Sequence, residues 1–305
     1  MPDAIQFSVI VPARNRPEEI RRCVESLYAL DFPPTQYEAI VVDNGSTDET
    51  ARAAAGAGAR VISEPTPSRC LARNAGARVA RGRWLAFTDS DCEADRGWLA
   101  AMARAVAGVE SEPGAERVAV LAGAIEDAPA RTTVEAYIAH RRWLDQEKFL
   151  EEGRFSPPFA ATANLCVRAD AFADVGGFDP PMAPAEDADW CWRATARGWR
   201  IQYVKEARVT HHHRATLGGM IRQAYGYGLG NAALFAKHRD QFGAKVWIDP
   251  RFAGWAMKGL IKTPWCWATG RDPLQRRLAW YDFLSNAAQA WGRVRGGAHK
   301  RRLTD

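Results

Sequence analysis

The chain has 305 residues, of which 47% are hydrophobic and 25% charged, an ordinary make-up for a folded protein with one large core or two small ones. Its net charge of +5 is too mild to argue for a nucleic-acid partner, and its six cysteines are scattered without a C-x-x-C pair, which argues against structural zinc and a disulfide framework and for reduced thiols. The chain does not open on a basic stretch followed by an apolar one, and it holds no apolar run of bilayer length, so a cytoplasmic location is expected, with attachment to the inner face of a membrane left open.

Phe7 to Pro12 is a β-branched run ended by proline and predicts a first strand. Pro17 suits the first turn of the helix that follows. Glu18 and Glu19 lie at the positive end of its dipole, and Ile20, Cys23, Val24 and Leu27 give it an apolar stripe. Glu38 to Asp43 predicts a second strand, closed by the tight turn Asn44-Gly45-Ser46, with Thr47 or Asp48 as cap of the next helix. Arg60 to Ser63 reads as a brief third strand and Ser68 to Val79 as a helix. Trp84 to Thr88, apolar throughout, reads as a strand buried on both faces. The alternation of strand and helix predicts an α/β fold with a doubly wound, mostly parallel sheet.

Further on, Asp95 to Val109 reads as a helix, Val118 to Ile125 as a strand, Thr133 to Leu150 as one long helix and Ala161 to Val167 as a strand. A Gly-Gly-Phe-Asp loop at 176–179 precedes a helix opened by Glu186. Ile201 to Val204 and Arg208 to Thr210 are two short strand candidates, followed by His211, His212 and His213 and then by mainly helical sequence. The expected division is 1–213 for the sheet domain and 214–305 for a helical C-terminal extension.

The chemistry concentrates in a few places. Asp89 and Asp91 follow the fourth strand one residue apart, so in extended backbone their carboxylates point to one side. Hard divalent cations such as Mg2+ or Mn2+ take such oxygens and share them with phosphates, whereas a lone Asp-Ser-Asp reads equally as a polar turn. Glu186, Asp187 and Asp189 crowd a helix start, where they either satisfy the dipole as caps or supply a base. Asp189 is read as a cap only. Asp43 closes a strand as an Asx-turn residue or a helix cap. Arg73, taken by itself, reads as a salt-bridged surface residue. The three histidines are a solvated run, or His211 supplies a further metal ligand.

From Trp247 onward, six tryptophans interleave with lysines and arginines, and acidic residues are few. Aromatic and basic residues on helices suit an anionic membrane surface. A helical cap on the sheet domain, with a basic tail, explains the same composition.

Taken in order, Phe7-Ser8-Val9-Ile10-Val11-Pro12 with Arg14-Asn15, Val41 to Asp48, Ala72-Arg73-Asn74-Ala75-Gly76, Thr88-Asp89-Ser90-Asp91, Val175 to Asp179 and Glu186-Asp187-Ala188-Asp189 resemble a family 2 glycosyltransferase of the GT-A fold, over roughly residues 7 to 240. The resemblance implies a nucleotide-sugar donor, such as a UDP-sugar, a divalent metal (Mg2+ or Mn2+), inversion at the anomeric carbon, and an acceptor hydroxyl on a sugar, a lipid-linked or another molecule. It also implies a role in cell-envelope polysaccharide or glycolipid assembly. By the same resemblance, Pro12, Ala13, Arg14, Asp43, Asn44, Gly45, Arg73 and Asp89 line the nucleotide, and Asp89, Asp91 and His211 hold the metal. Asp187 is the base with Glu186 as its competitor, and Asn164 and Trp190 lie on the acceptor side. Two departures stand out. Ser68 replaces the usual glycine before the Ala-Arg-Asn segment, and Thr162-Ala163-Asn164 replaces Gly-Ala-Asn. A sugar nucleotidylyltransferase is the enzymatic rival, but the loop from Pro12 to Pro17 lacks the glycines such enzymes use. A non-catalytic carbohydrate- or partner-binding module on the same fold is the other rival, against which the retained carboxylates count.

Overall fold

The computed structural model describes residues 5–111, 117–151, 157–182, 184–242 and 250–304; Trp247 lies outside the described residues. The chain divides into two compact units. The first comprises Met1–Ala128 with Leu144–His212, the second Pro129–Trp143 with His213–Asp305.

The first unit is built on eight strands. They are β1 (Phe7–Ala13), β2 (Tyr37–Asp43), β3 (Arg60–Ser63), β4 (Trp84–Thr88), β5 (Cys92–Ala94), β6 (Val118–Asp127), β7 (Asn164–Arg168) and β8 (Arg200–His211). Between them run α1 (Pro17–Tyr28), α2 (Thr50–Gly56), α3 (Arg69–Val79) and α4 (Trp98–Ser111). The spatial order is β3-β2-β1-β4-β7-β6-β8-β5. The pairs β1/β2, β1/β4, β2/β3 and β6/β8 are parallel, while β4/β7, β6/β7 and β5/β8 are antiparallel.

The alternation of side chains along the central strands creates two cores. Phe7, Val9 and Val11 of β1, Ala39 and Val41 of β2, and Trp84 and Ala86 of β4 face α1 and α4, where Ile20, Val24, Leu27, Leu99 and Met102 meet them. Ile10, Ile40, Val42, Leu85 and Phe87 point the other way, against Cys70, Ala72 and Ala75 of α3 and against Phe172 and Trp190. Strands buried on both faces read as unbroken apolar runs, as these do. Each fully buried Val, Leu, Ile or Phe contributes roughly 1.5–3 kcal/mol.

Several elements differ from expectation. The stretch from Thr133 to Leu150 holds two helices, α5 (Thr133–His140) and α6 (Gln146–Leu150). Arg142 stands between them with φ 50°, a left-handed backbone that ends the first helix. A helix, α7 (Ala169–Val175), follows β7, and α8 (Glu186–Ala196) opens on the acidic cluster. The two short strand candidates after it form the single strand β8, whose pairing with β6 shifts register between Gly123 and Ala124. Helix α2 starts later than a cap at Thr47 would allow; Asp48 Oδ1 instead accepts from the Thr50 N–H at 3.0 Å.

The second unit groups α5 with α9 (Leu217–Lys237), α10 (Arg239–Phe242), α11 (Pro250–Thr269) and α12 (Pro273–Thr304). Its core is formed by Val134, Tyr137, Ile138, Met220 and Tyr281. Thr132 and Glu135 close a capping box at the start of α5. The Tyr137 hydroxyl donates to Asp282 Oδ1 at 2.9 Å, and Arg141 pairs with the same carboxylate.

Candidate active site

The loops at the C-terminal ends of β1, β2 and β4 converge, the usual place for a ligand in an open α/β sheet. The first two are laced together. Asn15, at φ 52°, donates its N–H to Ser46 Oγ at 3.1 Å, and its Oδ1 accepts from the Thr47 N–H at 2.9 Å. Asn44 is buried and spends its amide on the carbonyls of Glu64 and Thr66, at 3.0 and 2.6 Å. Gly45 has φ +69°, and a Cβ there would lie 2.8 Å from the Pro65 carbonyl oxygen, so this turn accepts only glycine. Asn44 and Gly45 therefore shape this turn through the backbone. At the end of β1, Pro12 is half-buried, Ala13 buried and Arg14 exposed. Asp43 presents a buried Oδ1 without a hydrogen-bond partner, an acceptor left open at the end of β2.

Arg73, on α3, is not a surface residue. It is 1% exposed, and its guanidinium reaches Asp89 Oδ1 with Nη2 at 2.5 Å and Glu186 Oε1 with Nη1 at 2.6 Å. Burial alone would raise the Asp89 carboxyl, yet the charges of Arg73, Arg69 and His211 outweigh it and hold the group below its usual range. Asn74, next in sequence, exchanges two hydrogen bonds with the Phe178 backbone at 2.8 and 3.0 Å and fixes the glycine turn before α8.

The residues at the start of α8 have distinct environments. Glu186 is buried against Arg73. Asp187 is half-buried, and its oxygens accept from the Ala188 N–H at 2.8 Å and the Thr162 N–H at 3.3 Å. Burial, reinforced by the Glu186 charge, pushes the Asp187 carboxyl up to about 6. Asp189 does not cap the helix. It is fully buried and holds Arg193 at 2.8 Å, and Arg193 in turn donates to the Val175 and Gly177 carbonyls.

His211, at the end of β8, is brought beside Asp91 by the β5/β8 pairing, in which Cys92 and His211 are partners. His211 Nε2 lies 3.5 Å from Asp91 Oδ1. Asp91, Cys92 and His211 each offer a ligand atom, all within 4.8 Å of one another, a donor set suited to a cation. Asp89 faces Arg73 instead and is outside this group. His212 turns to Glu93, 2.6 Å away.

Asn164 and Trp190, expected on the acceptor side, are both fully buried. The Asn164 amide donates to the Ala124 and Ala207 carbonyls at 2.7 and 2.9 Å, and its Oδ1 accepts from Trp98 Nε1 at 2.8 Å. Trp190 stacks on Phe172 at 5.6 Å. Two contacts lack any local sequence signal, the Arg73–Glu186 pair and the Thr162 N–H on Asp187; both join residues distant in the chain.

Residues 8–110 match the model described as "Glycosyl transferase family 2", and residues 89–287 match "Glycosyl transferase family group 2". A pre-mycofactocin glycosyltransferase of Mycobacterium tuberculosis is 29% identical over 85% of this chain, which spans only 54% of that relative's length. Among solved structures, the mannosyltransferase PcManGT from Pyrobaculum calidifontis, in complex with GDP-Man and Mn2+, superposes with a TM-score of 0.62 at 19% identity, covering 95% of this chain and 88% of that one. The 1–349 region of TarS from S. aureus, in complex with UDP-GlcNAc, gives 0.56 at 19% identity, with 96% and 92% covered. At such identity these two structures speak for the fold.

Proposed function

The chain belongs to the family 2 glycosyltransferases, and from that footing we propose that it moves a sugar from a nucleoside-diphosphate donor to an acceptor hydroxyl with inversion, Asp187 being the base. What carries this reading is the contrast between two neighbours. Glu186 is buried and committed to Arg73, whereas Asp187 is partly exposed with its carboxyl at about 6. Such a carboxylate is ionised at neutral pH and still a stronger base than an ordinary one. As the acceptor oxygen attacks the anomeric carbon, its proton passes to Asp187. The bond from that carbon to the diphosphate oxygen breaks with its electron pair, and the nucleoside diphosphate leaves from the opposite face. The Thr162 and Ala188 N–H groups hold the base in place.

Asp43 supports the donor assignment, because its open Oδ1 suits the N–H edge that uracil and guanine both carry. Pro12, Ala13 and Arg14 border that position. For the metal, the Asp91 carboxylate and the His211 imidazole fit Mn2+ or Mg2+. Burial and the Asp91 charge push the Cys92 thiol well up, so it stays protonated and is a poor ligand for a hard cation. Bound there, a divalent cation supplies Lewis-acid neutralisation of the diphosphate leaving group. Asp89, held by Arg73, keeps a second negative charge beside that position. Asn164 and Trp190 act indirectly, by fixing the strands and helix that form the acceptor wall.

The test is a panel of UDP- and GDP-sugars assayed for nucleoside-diphosphate release and transfer, with Mn2+ and with chelator. Turnover of at least one donor, dependent on the cation and lost in Asp187→Asn, is expected. Undiminished turnover under chelation would remove the metal from the scheme, and undiminished turnover in Asp187→Asn would remove the base.

A further inference from the structure

The second unit carries a feature that sugar transfer does not use. On α11, Ile261, Trp265 and Trp267 are 71%, 72% and 70% exposed, and Met257 and Leu260 are exposed with them. At 100° per residue, these side chains fall on one arc of the helix, with Met257, Ile261 and Trp265 running along it at four-residue spacing. The opposite side is occupied. A Cβ on Gly259 would touch the backbone of Ala279 and Phe283, so that side lies on α12. A continuous apolar face of this kind, open to water, marks an interaction surface.

Charge identifies the partner. Lys258 and Lys262 lie along one edge of the apolar arc and are both exposed, and residues 250–269 contain no aspartate or glutamate. We propose that the outer face of α11 docks on an anionic phospholipid bilayer, lying in the interface plane with Ile261 and Trp265 at the headgroup–acyl boundary and the lysines against headgroup phosphates. Tryptophan is suited to that boundary, since its ring is apolar and its N–H finds a partner at the wet edge. Lying on the membrane fits the helix better than crossing it, as among the described residues no helix is long and apolar enough to span a bilayer. A second copy is a poorer occupant, because antiparallel self-pairing of this face would bring the lysine edges of two α11 helices together, and neither helix carries an acid to answer them. The inference is independent of the site on the first unit.

The experiment is co-sedimentation of the full chain with vesicles of phosphatidylglycerol and phosphatidylcholine, against phosphatidylcholine alone, at low and high salt. Binding to the anionic vesicles that weakens with salt is expected. Ile261→Glu with Trp265→Glu should abolish it, with circular dichroism and thermal midpoint unchanged because both side chains are exposed. Lys258→Gln with Lys262→Gln should lower the partition coefficient by roughly tenfold or more. Bromine-labelled lipid should quench the tryptophan emission of the unaltered protein. No binding at low salt, no quenching, or binding indifferent to the glutamate substitutions would each overturn the proposal. A dimer that the glutamates dissociate, without vesicle binding, would reassign the face to a second copy.

Discussion

Arg73 and Glu186 form an ion pair of 2.6 Å in which neither side chain reaches water, though one stands on α3 and the other opens α8. The other guanidinium nitrogen holds Asp89 at the end of β4. Burial works against the Arg73 charge, but the carboxylates of Asp89, Glu186 and Asp187 outweigh it and hold the group above its usual range. The planar fork of arginine matches two carboxylates at once, which a lysine's point charge does not. The helix that carries Asp187 is thereby tied to the strand end that carries Asp89.

Removing that guanidinium strands two carboxylates. Arg73→Met is expected to lower the unfolding free energy by roughly 3–5 kcal/mol, with Arg73→Lys recovering part of it. Urea denaturation followed by circular dichroism measures both. A change within the roughly 0.5 kcal/mol usual for surface positions would show that the pair does not hold the fold.

Asp187→Asn keeps the size of the side chain and one of its two acceptor oxygens but cannot take a proton. Its kcat is expected to fall by roughly a hundred- to ten-thousand-fold, with the donor's dissociation constant, measured by calorimetry, unchanged. Glu186→Gln should do less harm to kcat. If Glu186→Gln is the crippling change and Asp187→Asn stays active, the roles are exchanged.

Asp187 also sets a pH dependence. With a folded-state value of about 6, kcat should rise with pH through that value and level above it. The sign for stability is the reverse of the usual carboxylate case. Folding raises this group from 3.8 to about 6, so ionisation disfavours the folded state, not at all below about pH 4 and fully above about pH 6. Relative to the unaltered protein, Asp187→Asn should therefore be more stable at pH 7.5 than at pH 4 by on the order of 2–3 kcal/mol, on top of a fixed cost for the lost acceptor oxygen. A change in thermal midpoint equal at both pH values would contradict the assignment.

The histidines should separate by role. His211→Ala and Asp91→Asn are expected to weaken Mn2+-dependent binding of a nucleoside diphosphate by about tenfold or more, and His212→Ala to do little, because His212 faces Glu93. Calorimetric titration with and without Mn2+ decides it. Equal effects at His211 and His212 would count against His211 as a ligand.

Burial was legible in the sequence wherever apolar residues follow one another with little or no interruption. The runs Phe7 to Val11, Ala39 to Val42 and Trp84 to Phe87 show it, and they form the centre of the sheet. Partnership was not legible. Nothing near Arg73 announces a carboxylate on α8, and although the family resemblance put His211 with Asp91, nothing near Asp91 announces the pairing of three-residue β5 with β8 that brings them together. Asn164 and Trp190 look like site residues in a motif, yet one is an internal amide hub and the other a core aromatic, a difference that depends on what surrounds them. The break at Arg142 was hidden because a left-handed arginine leaves no glycine or proline to mark it.

The amide of Asn164 also constrains descent. A methyl group at position 123 would sit 2.3 Å from Asn164 Nδ2 and 2.5 Å from the Ala207 carbonyl oxygen, and neither can swing aside, the one bound to two carbonyls and the other part of β8. While an amide occupies position 164, a lineage can accept nothing larger than glycine at 123. Shrinking position 164 does not by itself admit a side chain there, because the β8 backbone at Ala207 still stands 2.5 Å away. For anyone reshaping this protein by successive single substitutions, position 123 stays closed until the backbone of β8 itself moves.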